Sequence, residues 1–177
     1  MICWIHGAYS SPIYFNYLLQ VLPDHDYGLF SYSCDVPLRK NLDALTQMLE
    51  RGNFTHCIGH SLGGLMAATM YVRGHVPSAV SIASPLAGFK AGNFFPFPQV
   101  VSDTRSGAPL FKELSQATYD ENYLNIVAIG GSRPGTDGVV PLYSQRALPN
   151  QIELHYNHFD IIMAPETAQV LEAHLFE

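Results

Sequence analysis

Charge is scarce in this sequence. Only 14% of its 177 residues are Asp, Glu, Lys or Arg, against about 25% in an average globular domain. The 9 basic residues form no run anywhere, and the formal charge is −6. Such a chain lacks the phosphate-neutralising stripe that binding to DNA or RNA needs. Long apolar runs are missing too. His, Pro, Gly or a charged residue breaks each hydrophobic stretch well before the roughly 18 positions of a membrane-spanning helix, so no transmembrane segment is read. Cysteine is limited to Cys3, Cys34 and Cys57. An odd number, each in or beside a β-like apolar run, fits small buried hydrophobes better than a disulfide framework. No basic, apolar leader precedes the strand-like Ile2-Cys3-Trp4-Ile5, so secretion by a standard signal is not expected and a reducing, cytoplasmic setting is.

What is abundant is apolar. Hydrophobic residues make up 47% of the chain, which disfavours disorder and demands a compact core. The length suits one domain, residues 1–177. Short β-like runs fall at 2–5, 27–32, 56–59, 79–83, 124–129 and 151–156. Helical patterns lie between them. Tyr14, Tyr17, Leu18 and Val21 are expected to share one helical face after Ser11-Pro12, Leu38, Leu42, Leu45 and Leu49 another after Pro37, and Val170, Leu171, His174 and Leu175 a third after Pro165. A further helix is expected near 108–117. The alternation predicts an α/β domain with a mostly parallel sheet covered by helices on both faces. The stretch 85–107, which carries Phe94, Phe95 and Phe97, reads as one long irregular loop, a length often associated with function.

The most informative segment is Thr55-His56-Cys57-Ile58-Gly59-His60-Ser61-Leu62-Gly63-Gly64, in which a β-like run meets G-x-S-x-G and continues into the helix-like Leu65-Met66-Ala67-Ala68. Strand, sharp turn and helix in that order give the motif its meaning. A serine hydroxyl attacks only if it projects beyond the sheet, which requires a strained turn with Gly59 and Gly63 providing clearance. Ser61 is therefore the candidate nucleophile. The N–H of Leu62, at the helix start, then faces developing negative charge.

On W-I-H-G-A-Y-S at 4–10, G-H-S-L-G-G at 59–64, T-D-G-V-V-P at 136–141 and N-H-F-D-I at 157–161, the chain resembles the α/β-hydrolase superfamily, and within it the small bacterial lipases and esterases that lack a large lid. The resemblance spans nearly the whole chain and keeps the family order Ser, Asp, His. It implies a minimal α/β-hydrolase fold of about six strands, lacking the first two of the usual eight and any cap domain. It also implies His158 as the base and Asp137 as its carboxylate partner. His155, inside the last β-like run, is the nearest competitor and is expected to pack on the sheet face. Asp160 is the substitute acid. Ala8, following His6-Gly7, becomes the second oxyanion donor beside Leu62, with His6 bracing that loop, and His60 resembles a structural residue of the family.

The activity implied is carboxylic-ester hydrolysis through an acyl-enzyme, on a small-molecule acyl ester, with no cofactor and no metal. A thioesterase, an acyltransferase or an amidase would use the same residues. A non-catalytic fold that binds a ligand is the competing class. Phe89, Phe94, Phe95 and Phe97 are candidates for an apolar wall of an open site, or for a seal on the end of the sheet.

Overall fold

The computed structural model describes residues 1–90 and 103–176. Six strands form one sheet: β1 (Ile2–Ile5), β2 (Tyr27–Phe30), β3 (His56–His60), β4 (Ser78–Ile82), β5 (Tyr123–Ala128) and β6 (Gln151–Leu154). Their spatial order is β2-β1-β3-β4-β5-β6, and every neighbouring pair is parallel. The helices are α1 (Asn16–Val21), α2 (Leu38–Arg51), α3 (Leu62–Val72), α4 (Pro109–Gln116), α5 (Leu142–Gln145) and α6 (Pro165–Phe176), with 3₁₀ turns at Pro12–Phe15 and Asp160–Met163.

Parallel strands are covered on both faces, so they read as near-continuous apolar runs whose alternate residues feed different cores. Cys3, Ile5 and Cys57 join one core with Leu38, Leu42, Leu45 and Leu49 of α2. Ile2, Trp4 and Ile58 join the other, with Phe15, Leu18 and Leu22 beneath and Ile161, Ile162 and Leu171 from the C-terminal region. The predicted α2 face is therefore the buried one. The face expected around α1 is so only in part: Leu18 is buried and Tyr17 half-buried. Phe15, Leu18 and Leu22 are buried, whereas Tyr14 and Val21 are 49% and 47% exposed. Both sets carry helical spacing, and the contact with Trp4 chooses between them, its ring centroid lying 5.0 Å from that of Phe15. The segment also enters as a 3₁₀ turn, whose three-residue period shifts the phase of α1 behind it. In α6 the buried stripe is Thr167, Ala168 and Leu171, while Val170, His174 and Leu175 are half-buried.

The chain runs outward from β1 to the edge strand β2, then returns across β1 to β3 and proceeds the other way. Beside the carboxyl ends of β1 and β3 the crossovers diverge and leave a crevice, the usual place for a ligand in an open α/β sheet. Ile5 is paired with Gly59 in the register there, so His6-Gly7-Ala8 and His60-Ser61-Leu62 emerge side by side.

The long stretch 85–107 is tied at its base. Phe89 N–H donates to Thr104 O at 2.9 Å and Ser106 N–H to Phe89 O at 2.9 Å. Asp103 reaches across to accept from the first N–H of α2, at Leu38, at 2.9 Å, capping a helix that has no side-chain cap of its own. Phe94, Phe95 and Phe97, the candidate substrate wall, lie outside the described residues.

Candidate active site

Ser61 occupies the turn between β3 and α3 with φ 56° and ψ −122°, a backbone conformation that costs energy for a residue with a Cβ and persists only where its surroundings enforce it. The enforcement is visible in two glycines. A Cβ on Gly59 would lie 2.1 Å from the carbonyl of Gly63, and one on Gly63 would lie 2.0 Å from Ile5 O. Both collisions are with backbone, so no side chain could move aside. Ser61 N–H is anchored to Ile82 O at 2.8 Å. Its hydroxyl makes no hydrogen bond among the described residues.

His158 follows β6 and is buried, as is Asp137 in the loop after β5. His158 Nδ1 and Asp137 Oδ2 are 2.7 Å apart. The other carboxylate oxygen accepts from Val139 N–H at 2.8 Å and Val140 N–H at 2.6 Å. Asp137 also accepts, through its backbone oxygen, from His158 N–H at 3.0 Å. Those donors satisfy a carboxylate that burial would otherwise penalise. With the acid accepting at Nδ1, the remaining nitrogen, Nε2, carries the lone pair of the neutral ring. Asp160, the substitute acid, instead accepts from Asn157 Nδ2 at 2.6 Å. His155 departs from its expected place: β6 ends at Leu154, so His155 lies past the strand and is exposed rather than packed on the sheet face.

Two further side chains support the pair, His60, expected to be structural, and Gln145, which the sequence did not single out. His60 Nε2–H donates to His158 O at 2.8 Å, and its ring lies 4.7 Å from that of His158. Burial first, then the proximity of His158, lowers the His60 pKa to about 3, while the hydrogen bond to His158 O opposes the shift, so His60 is a neutral donor. Gln145, fully buried, accepts from Ala128 N–H at 2.9 Å and donates to Val140 O at 3.2 Å, pinning the Asp137 loop to β5. The histidine before the serine was a visible signal, whereas nothing local marks Gln145.

The loop after β1 is braced by His6. Its Nδ1–H donates to Gly7 O at 2.7 Å and its Nε2 accepts from Tyr32 N–H at 3.3 Å, while Tyr32 Oη donates to His6 O at 2.9 Å. The two rings stack at 4.4 Å. Burial lowers the His6 pKa and keeps the ring neutral. Among the described residues, neither Ala8 N–H nor Leu62 N–H makes a hydrogen bond. Ala8, Tyr9, Tyr14, Ser61, His158 and Phe159 line one cavity of about 90 Å³. A second, of about 390 Å³, lies on the Asp137 side and includes Ser132, Gly138, Asn157, Phe159 and Asp160. No group of three or more His, Cys, Asp or Glu side chains among the described residues is placed to hold a metal.

The fold recurs in solved structures. An extracellular α/β-hydrolase from a Paenibacillus species superposes with TM-score 0.65 at 12% identity, covering 99% of both chains. The N-formylmaleamic acid deformylase of Pseudomonas putida gives 0.67 at 13%, over 97% of this chain and 90% of that one. Phospholipase PlaB of Legionella pneumophila gives 0.64 at 14%, over 83% of this chain. The chain has the α/β-hydrolase fold. It covers less than half of the phospholipase, 44% of that chain. No family model matches the sequence, nor does any curated protein. The likeness therefore lies in an α/β-hydrolase fold kept with little common sequence. The Ser61 turn occupies the crevice that this fold leaves at the central crossover.

Proposed function

We propose that the chain is a serine hydrolase that cleaves carboxylic esters through an acyl-enzyme. The observation that carries this reading is the shared cavity of Ser61 and His158, with His158 Nδ1 held 2.7 Å from the buried Asp137. In this reading Ser61 Oγ attacks the acyl carbon as His158 Nε2 takes its proton. Asp137 fixes the tautomer and stabilises the imidazolium that forms. The oxyanion accepts from Ala8 and Leu62 N–H, two donors already in place and bonded to nothing else among the described residues. His158 then returns its proton to the leaving alkoxide, and the same group draws a proton from water to release the acid. The serine–histidine hydrogen bond forms as substrate enters, as catalytic contacts commonly tighten only in the complex.

Hydrolase neighbours as different as a phospholipase and a deformylase support the bond-cleaving class and leave the bond open. The ester assignment rests on the serine, base and acid together. A fluorophosphonate tests it: labelling at Ser61, located by peptide mass spectrometry and lost in Ser61→Ala, is the expected result. A folded protein that takes up no label would be a binding protein on this fold. A short soluble ester should be hydrolysed without micelles, since no cap domain stands over the cavity in the described residues. Turnover that begins only above the critical micelle concentration would contradict this.

A further inference from the structure

Taking Ser61 as the nucleophile and Ala8 N–H as an oxyanion donor, as proposed above, we infer that Tyr32 and Cys34, in the segment after β2, are positioning residues that clamp the loop carrying that donor. Ala8 N–H has no partner among the described residues, so its aim is set by the peptides around it. In the trans Gly7–Ala8 peptide the carbonyl and the N–H point opposite ways in one plane. Whatever fixes Gly7 O therefore aims Ala8 N–H. Gly7 O accepts from His6 Nδ1 at 2.7 Å and from Ser10 N–H at 3.3 Å. His6 can donate at Nδ1 in only one neutral tautomer, and Tyr32 imposes it. The backbone N–H of Tyr32 meets His6 Nε2 at 3.3 Å. An amide N–H can only donate, so Nε2 carries the lone pair and Nδ1 the proton.

The same segment holds the peptides on either side. Before the donor, Tyr32 Oη donates to His6 O at 2.9 Å, while the Tyr32 ring stacks on that of His6 and lies near-parallel to that of the buried Phe30, 6.0 Å away at 18°. Burial, and then the proximity of Cys34, pushes the Tyr32 hydroxyl well above its ordinary pKa, so it stays a donor. After the donor, Tyr9 has φ 52°, in the left-handed region that a residue with a Cβ adopts only under constraint. Its N–H donates to Cys34 Sγ at 3.3 Å. Three consecutive peptides are thus pinned, with Ala8 N–H left to face the substrate. The clamp is itself anchored, since the buried Asn41 of α2 donates from Nδ2 to Ser33 O at 2.8 Å. At its other end the loop abuts the nucleophile: a Cβ on Gly7 would lie 3.2 Å from Ser61 Cβ. The edge strand β2 is in this way tied to the reacting centre. Removing an oxyanion donor outright costs about 10²–10³-fold in rate, and mis-aiming one by loss of a single support should cost about tenfold.

Tyr32→Phe removes the hydroxyl donor and keeps the ring and the backbone N–H. Cys34→Ala removes the sulfur acceptor, and Cys34→Ser puts an oxygen acceptor in its place. Each protein is measured for kcat/KM on p-nitrophenyl acetate, for the pH midpoint of that parameter, and for inhibition by butyl trifluoromethyl ketone. Ser61 Oγ adds to the ketone carbon, its proton passes to His158, and the former carbonyl oxygen takes the negative charge in the oxyanion site, so the ketone reports on that site directly. Tyr32→Phe should lower kcat/KM about tenfold and raise the ketone inhibition constant by the same factor to within about twofold, with the pH midpoint unmoved because the His158 and Asp137 pair is untouched. Cys34→Ala should lose about fivefold in both, and Cys34→Ser should return both to within about twofold of wild type. Unchanged rate and inhibition, even with lowered thermal stability, would make the segment a structural support only and overturn the inference. A loss of rate with unchanged ketone inhibition, or a shifted pH midpoint, would overturn it too. Should Tyr32→Phe fail to fold, the two Cys34 variants decide by the same criteria. A wild type that labels with fluorophosphonate at Ser61 keeps the hydrolase reading whichever way the variants fall. One that takes up neither label nor ketone would remove that reading and the clamp with it.

Discussion

The Asp137 carboxylate accepts three hydrogen bonds while having no exposed surface, and the division of labour between its oxygens makes a sharp test. Oδ1 is committed to Val139 and Val140 N–H, and Oδ2 to His158. In Asp137→Asn the amide oxygen must stay with the two backbone donors, so the NH₂ group faces His158 Nδ1 and donates to it. The imidazole then carries its proton on Nε2 and cannot take one from Ser61. A loss of about 10³-fold or more in kcat is expected, in line with other triads, while Asp160→Asn should stay within about threefold. The opposite ranking would make Asp160 the acid. Gly63→Ala would drive a Cβ onto backbone oxygens at 2.0 and 2.5 Å, whereas Gly28→Ala meets the ring edge of Phe54 at 2.8 Å, which can swing aside. Thermal unfolding should show a loss of more than about 3 kcal/mol for the first and within about 1 kcal/mol for the second.

At the scale of elements, local pattern carried most of the fold because the four inner strands of the parallel sheet, β1, β3, β4 and β5, are short, buried, largely apolar runs punctuated by turn residues. All six predicted runs became strands, with ends shifted by at most two residues. The serine turn was equally legible, since its glycines and its strand-to-helix context are contiguous. Asp137 and His158 were paired through resemblance, because two loops brought together by β5 and β6 leave no mark of their meeting in local sequence. Long-range supports left still less. The cap that Asp103 gives α2 spans 65 residues, and the grip of Gln145 on β5 spans 17. The buried side of α1 differs from the one its periodicity suggests because Tyr14-Phe15 and Val21-Leu22 each offer two apolar neighbours, and only Trp4 selects between them. Leu45→Ala, on the buried face of α2, is expected to cost about 3 kcal/mol in urea unfolding, whereas the corrected face of α1 predicts that Val21→Ala costs less than about 0.5 kcal/mol. A large loss at Val21 would restore the rejected face.

For the whole molecule, four histidines are held neutral by burial, and all four act in the same direction on stability. His6, His56, His60 and His174 each have a lowered pKa with desolvation as the leading cause, furthest in His60, at about 3 against an ordinary 6.5. The unfolded chain takes up a proton at each of these positions from pH 6.5 downward, whereas the folded chain does so at His60 only near pH 3. Stability contributed by a neutral His60 is thus complete above pH 6.5 and is lost progressively as pH falls towards 3. By pH 4.5 that single group accounts for about 3 kcal/mol. The carboxylates Glu113 and Glu166 are lowered by Arg73 and Tyr156 respectively. They also favour the folded state at neutral pH, but they titrate below the histidine window and are solvent-screened. His60→Gln keeps an N–H donor for the carbonyl of His158 and removes the titration. Urea unfolding at pH 7, 5.5 and 4.5 should therefore show a variant less stable than wild type at pH 7 and less sensitive to acid, the two curves converging by about pH 4.5. Parallel curves would place the acid sensitivity elsewhere and show that His60 takes up its proton over the same pH range in the folded and unfolded chains.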